Sequence, residues 1–210
     1  MADDIYSMLA EAAGTPEEIV AEYENGLWTA VETVSGFGMC MSVPGGRSRE
    51  IALINSALNR GTRYYRPFDD YYAADIDFAG KTVGVVGHLK EMVRRNRNAA
   101  KKMYVFELDP KDEMDLPAEL EDELLPECDI VVITGSSLVN GTLPHILELC
   151  PGAYKILTGP SVPQCEGLLD FGIDRLAGLC VTDIPAAREY LSAPNHQNPY
   201  SIGHSFLIKK

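Results

Sequence analysis

From residue 81 onward the chain repeats one pattern, a short and nearly continuous apolar run followed by a longer helical stretch. The runs are 82–86 (TVGVV), 103–107 (MYVFE), 130–133 (IVVI), 154–157 (YKIL) and 176–181 (LAGLCV). Helices are expected after the first run through about residue 102, over about 117–125, from near Leu143, and from Pro185. Strands that are apolar without alternation are buried on both faces, which requires helices above and below a parallel sheet. Because crossovers between parallel strands are right-handed, the expected fold is a Rossmann-like, doubly wound α/β sheet over residues 79–210.

A smaller α+β unit is expected over residues 1–78, including a linker. Residues 1–13 place acidic and apolar side chains at helical spacing. Thr15-Pro16-Glu17-Glu18 reads as an N-cap, a first-turn proline and an acidic first turn, opening a second helix toward Asn25-Gly26. Residues 28–34 and 38–43 form a β-prone pair around Ser35-Gly36-Phe37, a hairpin signal. Ile51, Leu53, Ile54 and Leu58 then mark a helix over 48–58. Residues 63–78, rich in Tyr, Asp and Arg, follow neither period and are read as a connection packed onto the sheet, with Tyr64, Tyr65, Tyr71 and Tyr72 as candidates to line a pocket.

Charge and cysteine usage narrow the function. A net charge of -13 and a pI near 4.7 oppose binding to nucleic acid or anionic lipid, which needs clustered Lys and Arg. The basic stretch Arg94-Arg95-Asn96-Arg97 with Lys101-Lys102 is expected to be one solvated helix face. The N-terminal residues lack the basic start and long apolar core of a signal peptide, and no run approaches the ~18 apolar residues of a membrane span, so a cytoplasmic location is expected. Cys40, Cys128, Cys150, Cys165 and Cys180 are widely spaced and contain no CxxC pair, which reads as reduced thiols acting as small hydrophobes.

In an open α/β sheet the ligand crevice lies beyond the carboxyl ends of the strands. Here those ends are small, hydroxylic or acidic: Gly87-His88, Glu107 with Asp109, Thr134-Gly135-Ser136, Gly159-Pro160-Ser161, and Asp183. Each has a plain local reading as well. Gly84 and Gly87 lack the third glycine of the dinucleotide fingerprint. Asp109 opens a turn, Asn140-Gly141-Thr142 is a turn running into a cap, and Asp183 can cap the last helix. Glu107 and Asp109 nonetheless fall where an acid holding a cofactor ribose would lie. His88 could act as acid, base or ligand at the mouth of the first strand. His145, His196 and His204 show no ligand spacing, and Cys165 is expected to be inert.

The blocks VGVVGH at 83–88, LLPECDIVVITGSSLVNGTL at 124–143, LTGPSVP at 157–163 and FGIDRLAGLCVTD at 171–183 resemble the family described as "putative heavy-metal chelation". In that family the domain follows a small enolase-N-terminal-like domain. GFGMCMSVPGG at 36–46 and ALINSALN at 52–59, with Asn55, resemble that domain's hairpin and helix. The resemblance implies two domains, a Rossmann-like sheet and a cleft between them, with a metal ion or metal complex as ligand. Oxygen donors from Asp183, Glu107 and the hydroxyls would suit a hard cation better than a heavy one.

The reading reached from the residues and the resemblance is a protein that binds a small molecule or metal complex in the interdomain cleft. Gly87, Thr134, Gly135, Ser136, Asn140, Thr142, Gly159, Pro160, Ser161, Asp183 and Asn55 are its candidate contacts, with the amides after Gly135 and Gly159 donating to an anionic group. Two rivals stand beside it. One is a nucleotide- or adenosyl-cofactor-dependent enzyme using Glu107 or Asp109, and the other is a non-catalytic interaction subunit. The sequence leaves a homo-oligomer open.

Overall fold

The computed structural model describes residues 2–67, 71–87, 89–192 and 198–210. Helix α1 (Ala2–Ala13) leads into a three-stranded antiparallel sheet, β1 (Ile19–Glu24), β2 (Trp28–Thr33) and β3 (Phe37–Met41), followed by helix α2 (Ser48–Leu58). The second helix expected from Thr15 is instead strand β1. In IVAEYE, Ile19, Ala21 and Tyr23 are half-buried while Val20, Glu22 and Glu24 are exposed, a period of two that fits a strand paired on one side only. The first-turn proline and acids belong to the turn before it.

The linker contributes a two-residue strand, β4 (Tyr65–Arg66), and lies against the sheet as expected. Then come β5 (Thr82–Val86), α3 (Lys90–Asn96), β6 (Lys102–Glu107), β7 (Asp115–Pro117), α4 (Glu121–Leu124), β8 (Ile130–Thr134), α5 (Ser136–Asn140), α6 (Leu143–Leu149), β9 (Tyr154–Thr158), β10 (Arg175–Val181), α7 (Ile184–Leu191) and β11 (Gly203–Lys209). Strand order in the large sheet is β4-β11-β10-β9-β8-β5-β6-β7, parallel from β7 through β10. Counted along the chain from β5, the parallel strands run 3-2-1-4-5-6, the doubly wound dinucleotide-fold order.

Several elements differ from expectation. The helix after β5 stops at Asn96 and turns occupy the rest, while the acidic segment 117–125 breaks into 3₁₀ and α turns. Strand β11 pairs antiparallel with β10 along its whole length, from Arg175–Lys209 to Val181–Gly203. Its sequence, GHSFLIK, carries too little alternation to announce a strand. Partner availability decides it, since β10 is buried at all seven positions and needs a neighbour on its far side.

Two buried layers cover the parallel sheet. Val83, Val85, Val105, Ile130, Val132 and Ile156 face α3 and the linker's Ala73 and Phe78, while Phe106, Val131, Ile133 and Leu157 face α5, α6, α1 and α2. In the small sheet, β2 and β3 are buried on both faces as well. Val31 and Cys40 meet α2, whereas Trp28, Ala30, Phe37 and Met39 meet Leu179 and Val181 of β10 and Ala187 and Tyr190 of α7. Gly38 permits the first contact, because a Cβ there would collide with the Ala52 carbonyl and Ser56 amide of α2.

Polar groups fix the register between the two units. Asn59, buried just past α2, donates through Nδ2 to the Val162 and Leu179 carbonyls at 3.0 and 2.9 Å and accepts from the Gln164 amide at 2.6 Å. Asn55 donates to the Met39 and Ser161 carbonyls. Arg175, also buried, grips the linker through Asp75 (2.5 and 3.1 Å) and the Tyr72 carbonyl. Lys155, 4% exposed, directs its ammonium at the Cys150, Pro151 and Ala153 carbonyls beyond the C-terminus of α6.

Replacing Asn59 with alanine strands two carbonyls and an amide in the interior. It should cost about 2–4 kcal/mol in a urea denaturation series, and a loss below ~1 kcal/mol would contradict this role. The fragment 79–210 tests the proposed boundary from the other side. Without the small sheet it exposes Leu179, Val181 and Ala187, so it should keep mixed α/β circular dichroism but bind a hydrophobic dye and self-associate.

Candidate functional site

The strand order reverses between β5 and β8, and a cavity of about 410 Å³ lies at that point. Gly87, Glu107, Thr134, Ser136, Asn140 and Thr142 line it from the ends of β5, β6 and β8 and the turns that follow. Met41 and Val43, at the end of β3, line it from the small unit. Six of the expected residues are thus brought together. Gly87 turns the chain out of β5 with φ +89°, and a Cβ there would press into the Thr134 side chain.

The hydroxyl and amide groups are organised locally. Asn140 Oδ1 accepts from the Thr142 amide at 3.0 Å and its hydroxyl at 2.9 Å, closing the Asn-Gly-Thr turn between α5 and α6. The Ser136 hydroxyl donates to Thr134 Oγ1 at 3.1 Å, and the Ser137 hydroxyl to the Thr134 carbonyl at 2.8 Å. These bonds hold the wall after β8 in one shape.

The other expected residues lie elsewhere. Ser161, 3% exposed, accepts from the Met41 amide through Oγ at 3.0 Å, and Asn55 is completely buried, so both join the two units from inside. Asp183 accepts from the Ala186 amide at 3.0 Å and caps α7. Asp109 pairs with Lys111 on the surface. Of the amides proposed for an anion, that of Ser136 is directed at Thr134 Oγ1 at 3.5 Å, and Pro160, after Gly159, has no N–H. His88 and His196 lie outside the described residues.

Glu121 is the site residue that the sequence did not single out. It lines the cavity from the first turn of α4, is 9% exposed, and makes no salt bridge with a described residue. Burial pushes its carboxyl up to about 7, the His145 charge pulls it down, and Asp122 and Glu119 push it further up. His145 itself holds Asp122 at 2.7 Å. In the sequence Glu121 is one acid among Glu119, Glu121, Asp122 and Glu123, and only packing tells which one faces inward.

A six-stranded parallel sheet in this order, with a cavity at its switch point that the end of a small antiparallel sheet also lines, defines a Rossmann-like α/β protein. The chain belongs to the DUF364 family, described as "Putative heavy-metal chelation", whose profile matches residues 73–202. Two solved structures of that family match over the whole chain. One, a protein with unknown function from Desulfitobacterium hafniense, has a TM-score of 0.82 at 25% identity, covering 100% of this chain and 98% of its own. The other, from Pyrococcus horikoshii, has a TM-score of 0.84 at 22% identity, covering 100% and 99%. An uncharacterized protein of Methanocaldococcus jannaschii is 37% identical over 120 residues. That match takes in 55% of this chain and 44% of the relative, so less than half of the relative's length is matched.

The donors present do not fit a soft heavy metal, which prefers thiolates. All five cysteines are buried. Desolvation raises the thiols of Cys40, Cys128 and Cys180 to about 12 and that of Cys150 to about 11, and it raises Cys165 as well. Cys165 meets another sulfur, Met8 Sδ at 3.7 Å, but as a core contact. Among the described residues no three His, Cys, Asp or Glu side chains gather around a point that could hold an ion. No helix among them is long and apolar enough to cross a membrane.

The raised Glu121 carboxyl has a consequence for stability. Below pH ~4.5 folded and unfolded chains both carry the proton. As pH rises from 4.5 toward about 7 the folded state still binds a proton that the unfolded chain has released, so stability falls across that window and levels off above it. Glu121→Gln should therefore match the parent at pH 4 and exceed it at pH 8 by on the order of 1–3 kcal/mol, the upper end being the undiscounted shift. Equal stability of the two proteins at both pH values, by denaturant melts, would remove the case for a buried carboxyl.

Proposed function

We propose that the protein binds a small polar ligand, neutral or cationic, in the cavity between the end of β3 and the ends of β5, β6 and β8. The observation that carries this reading is the lining itself. Two carboxyls, Glu107 and Glu121, and the hydroxyls of Thr134, Ser136 and Thr142 converge on a partly apolar space that no described Lys or Arg lines. Such a lining suits a ligand with several N–H or O–H donors, and a metal would enter it as a complex that already carries its own ligands. An anionic ligand has no cation to meet among these residues.

The chemistry available is proton exchange and orientation. Glu121, neutral below pH about 7, can donate a hydrogen bond, and above it can accept one or balance a positive charge. The small unit excludes water through Met41 and Val43. A second reading, an adenosyl or nucleotide cofactor, is favoured by one feature. Glu107 ends the strand next to β5, where a ribose-binding acid sits in this strand order. Against it stand the incomplete glycine pattern and the bulky Leu89 at the cavity wall.

Thermal-shift measurements with polyamines, amino-group metal chelates and adenosine cofactors distinguish these readings, because a ligand bound by the native state alone raises the melting temperature. A polyamine or cationic chelate should raise it, with affinity increasing as pH passes upward through about 7. Glu121→Gln should abolish that pH step and weaken binding about tenfold. Stabilisation by adenosine compounds alone would favour the second reading, and none by any of the three classes would refute the binding proposal.

A further inference from the structure

A second and larger cavity, about 570 Å³, opens on the α3 face of the sheet. Its floor is Ala177 and Leu207 on β10 and β11 with Thr158 at the end of β9, and its walls are the linker, α3 and the segment that precedes β11. Helix α7 packs with the small sheet and with Leu179 and Val181 of β10, and it contributes no described residue to this cavity's lining.

Three features of the cavity point to a ligand. Tyr71, Tyr72 and Tyr200 give it aromatic walls, with Tyr71 and Tyr72 ring centroids 4.9 Å apart and tilted by 50°. The Tyr72 hydroxyl oxygen is buried without a hydrogen-bond partner; Tyr71 and Thr158 stand near it, but at no geometry that makes a bond. A buried hydroxyl left in that state costs free energy that a ligand acceptor would recover. Among the described residues Arg95 and Arg66 line the rim together with Glu91. Arg94 already binds both oxygens of Glu91, at 2.9 and 2.8 Å, and Arg95 shares one of them through Nε alone while its guanidinium lies 4.6 Å over the Tyr71 ring. The terminal nitrogens of Arg95 therefore remain for a further anion.

We infer that this cavity is a second binding site, for a planar aromatic ring carrying one anionic group. The ring lies among Tyr71, Tyr72 and the Leu207 floor, an acceptor on it takes the Tyr72 hydroxyl proton, and the anionic group pairs with Arg95. Arginine lines this cavity and no described Lys or Arg lines the switch-point cavity, so the two sites select different ligands, and this inference stands whether or not the first reading holds.

The test uses the whole protein in titration calorimetry at pH 7.5 with two aromatic anions, AMP and 1-naphthoate, each against its halves: adenosine and inorganic phosphate, 1-naphthalenemethanol and acetate. At least one aromatic anion should bind ten times more tightly than either of its halves. Tyr72→Phe should lower that affinity about tenfold without lowering the melting temperature, and Arg95→Gln, a change at a half-exposed position, should erase the advantage of the anion over the neutral ring. Glu121→Gln, in the other cavity, should leave the affinity unchanged. Binding no tighter than the halves, binding indifferent to both Tyr72→Phe and Arg95→Gln, or binding lost in Glu121→Gln would each overturn the inference.

Discussion

The two asparagines of the α2 region carry the arrangement on which both cavities depend. Asn55 and Asn59 place their amide donors on carbonyls of β3, of the loop after β9 and of β10, so one helical segment fixes three pieces of chain relative to one another. Buried amide–carbonyl bonds are directional, and leaving any of these carbonyls unpaired in the core is costly. Apolar packing alone would hold α2 on the sheet but would allow it to slide. The Met41 amide, bonded to Ser161, then brings the end of β3 to the wall of the switch-point cavity.

A second consequence concerns polarity. The residues that look most like ligand groups in the sequence include several that the fold consumes: Ser161, Asn55 and Asp183 satisfy backbone amides and carbonyls. Lining the cavity are hydroxyls and two acids, of which Glu121 is buried. That burial is tolerable because the carboxyl can keep its proton near neutrality, which removes the cost of an isolated charge. The same property makes Glu121 a group whose protonation changes near neutral pH.

The family description names heavy-metal chelation, and the side chains described here favour different chemistry. Thiols with raised proton affinity, each enclosed in the core, behave as packing groups. On the proposed readings the oxygen-rich cleft and the tyrosine-lined cavity with its arginine rim take organic ligands or preformed complexes. Helix α7 packs with the small sheet and the end of β10, and none of its residues is among the described lining of either cavity.

Periodicity alone determined much of the architecture. The five apolar runs became β5, β6, β8, β9 and β10, because a strand buried on both faces leaves no alternative to a covered parallel sheet. Strand ends named from the sequence, Gly87, Glu107, Thr134 and Ser136 with the Asn140–Thr142 turn, meet at one cavity, since carboxyl ends of parallel strands must share an edge. Tertiary structure decided what local sequence leaves degenerate. IVAEYE became a strand because β2 offered it an edge, and GHSFLIK became one because β10 required a partner. Which acid of four is buried depends on how α4 packs against the cavity wall, and whether a serine faces ligand or backbone can depend on a neighbour 120 residues away, as in the Ser161–Met41 bond, which no local pattern encodes.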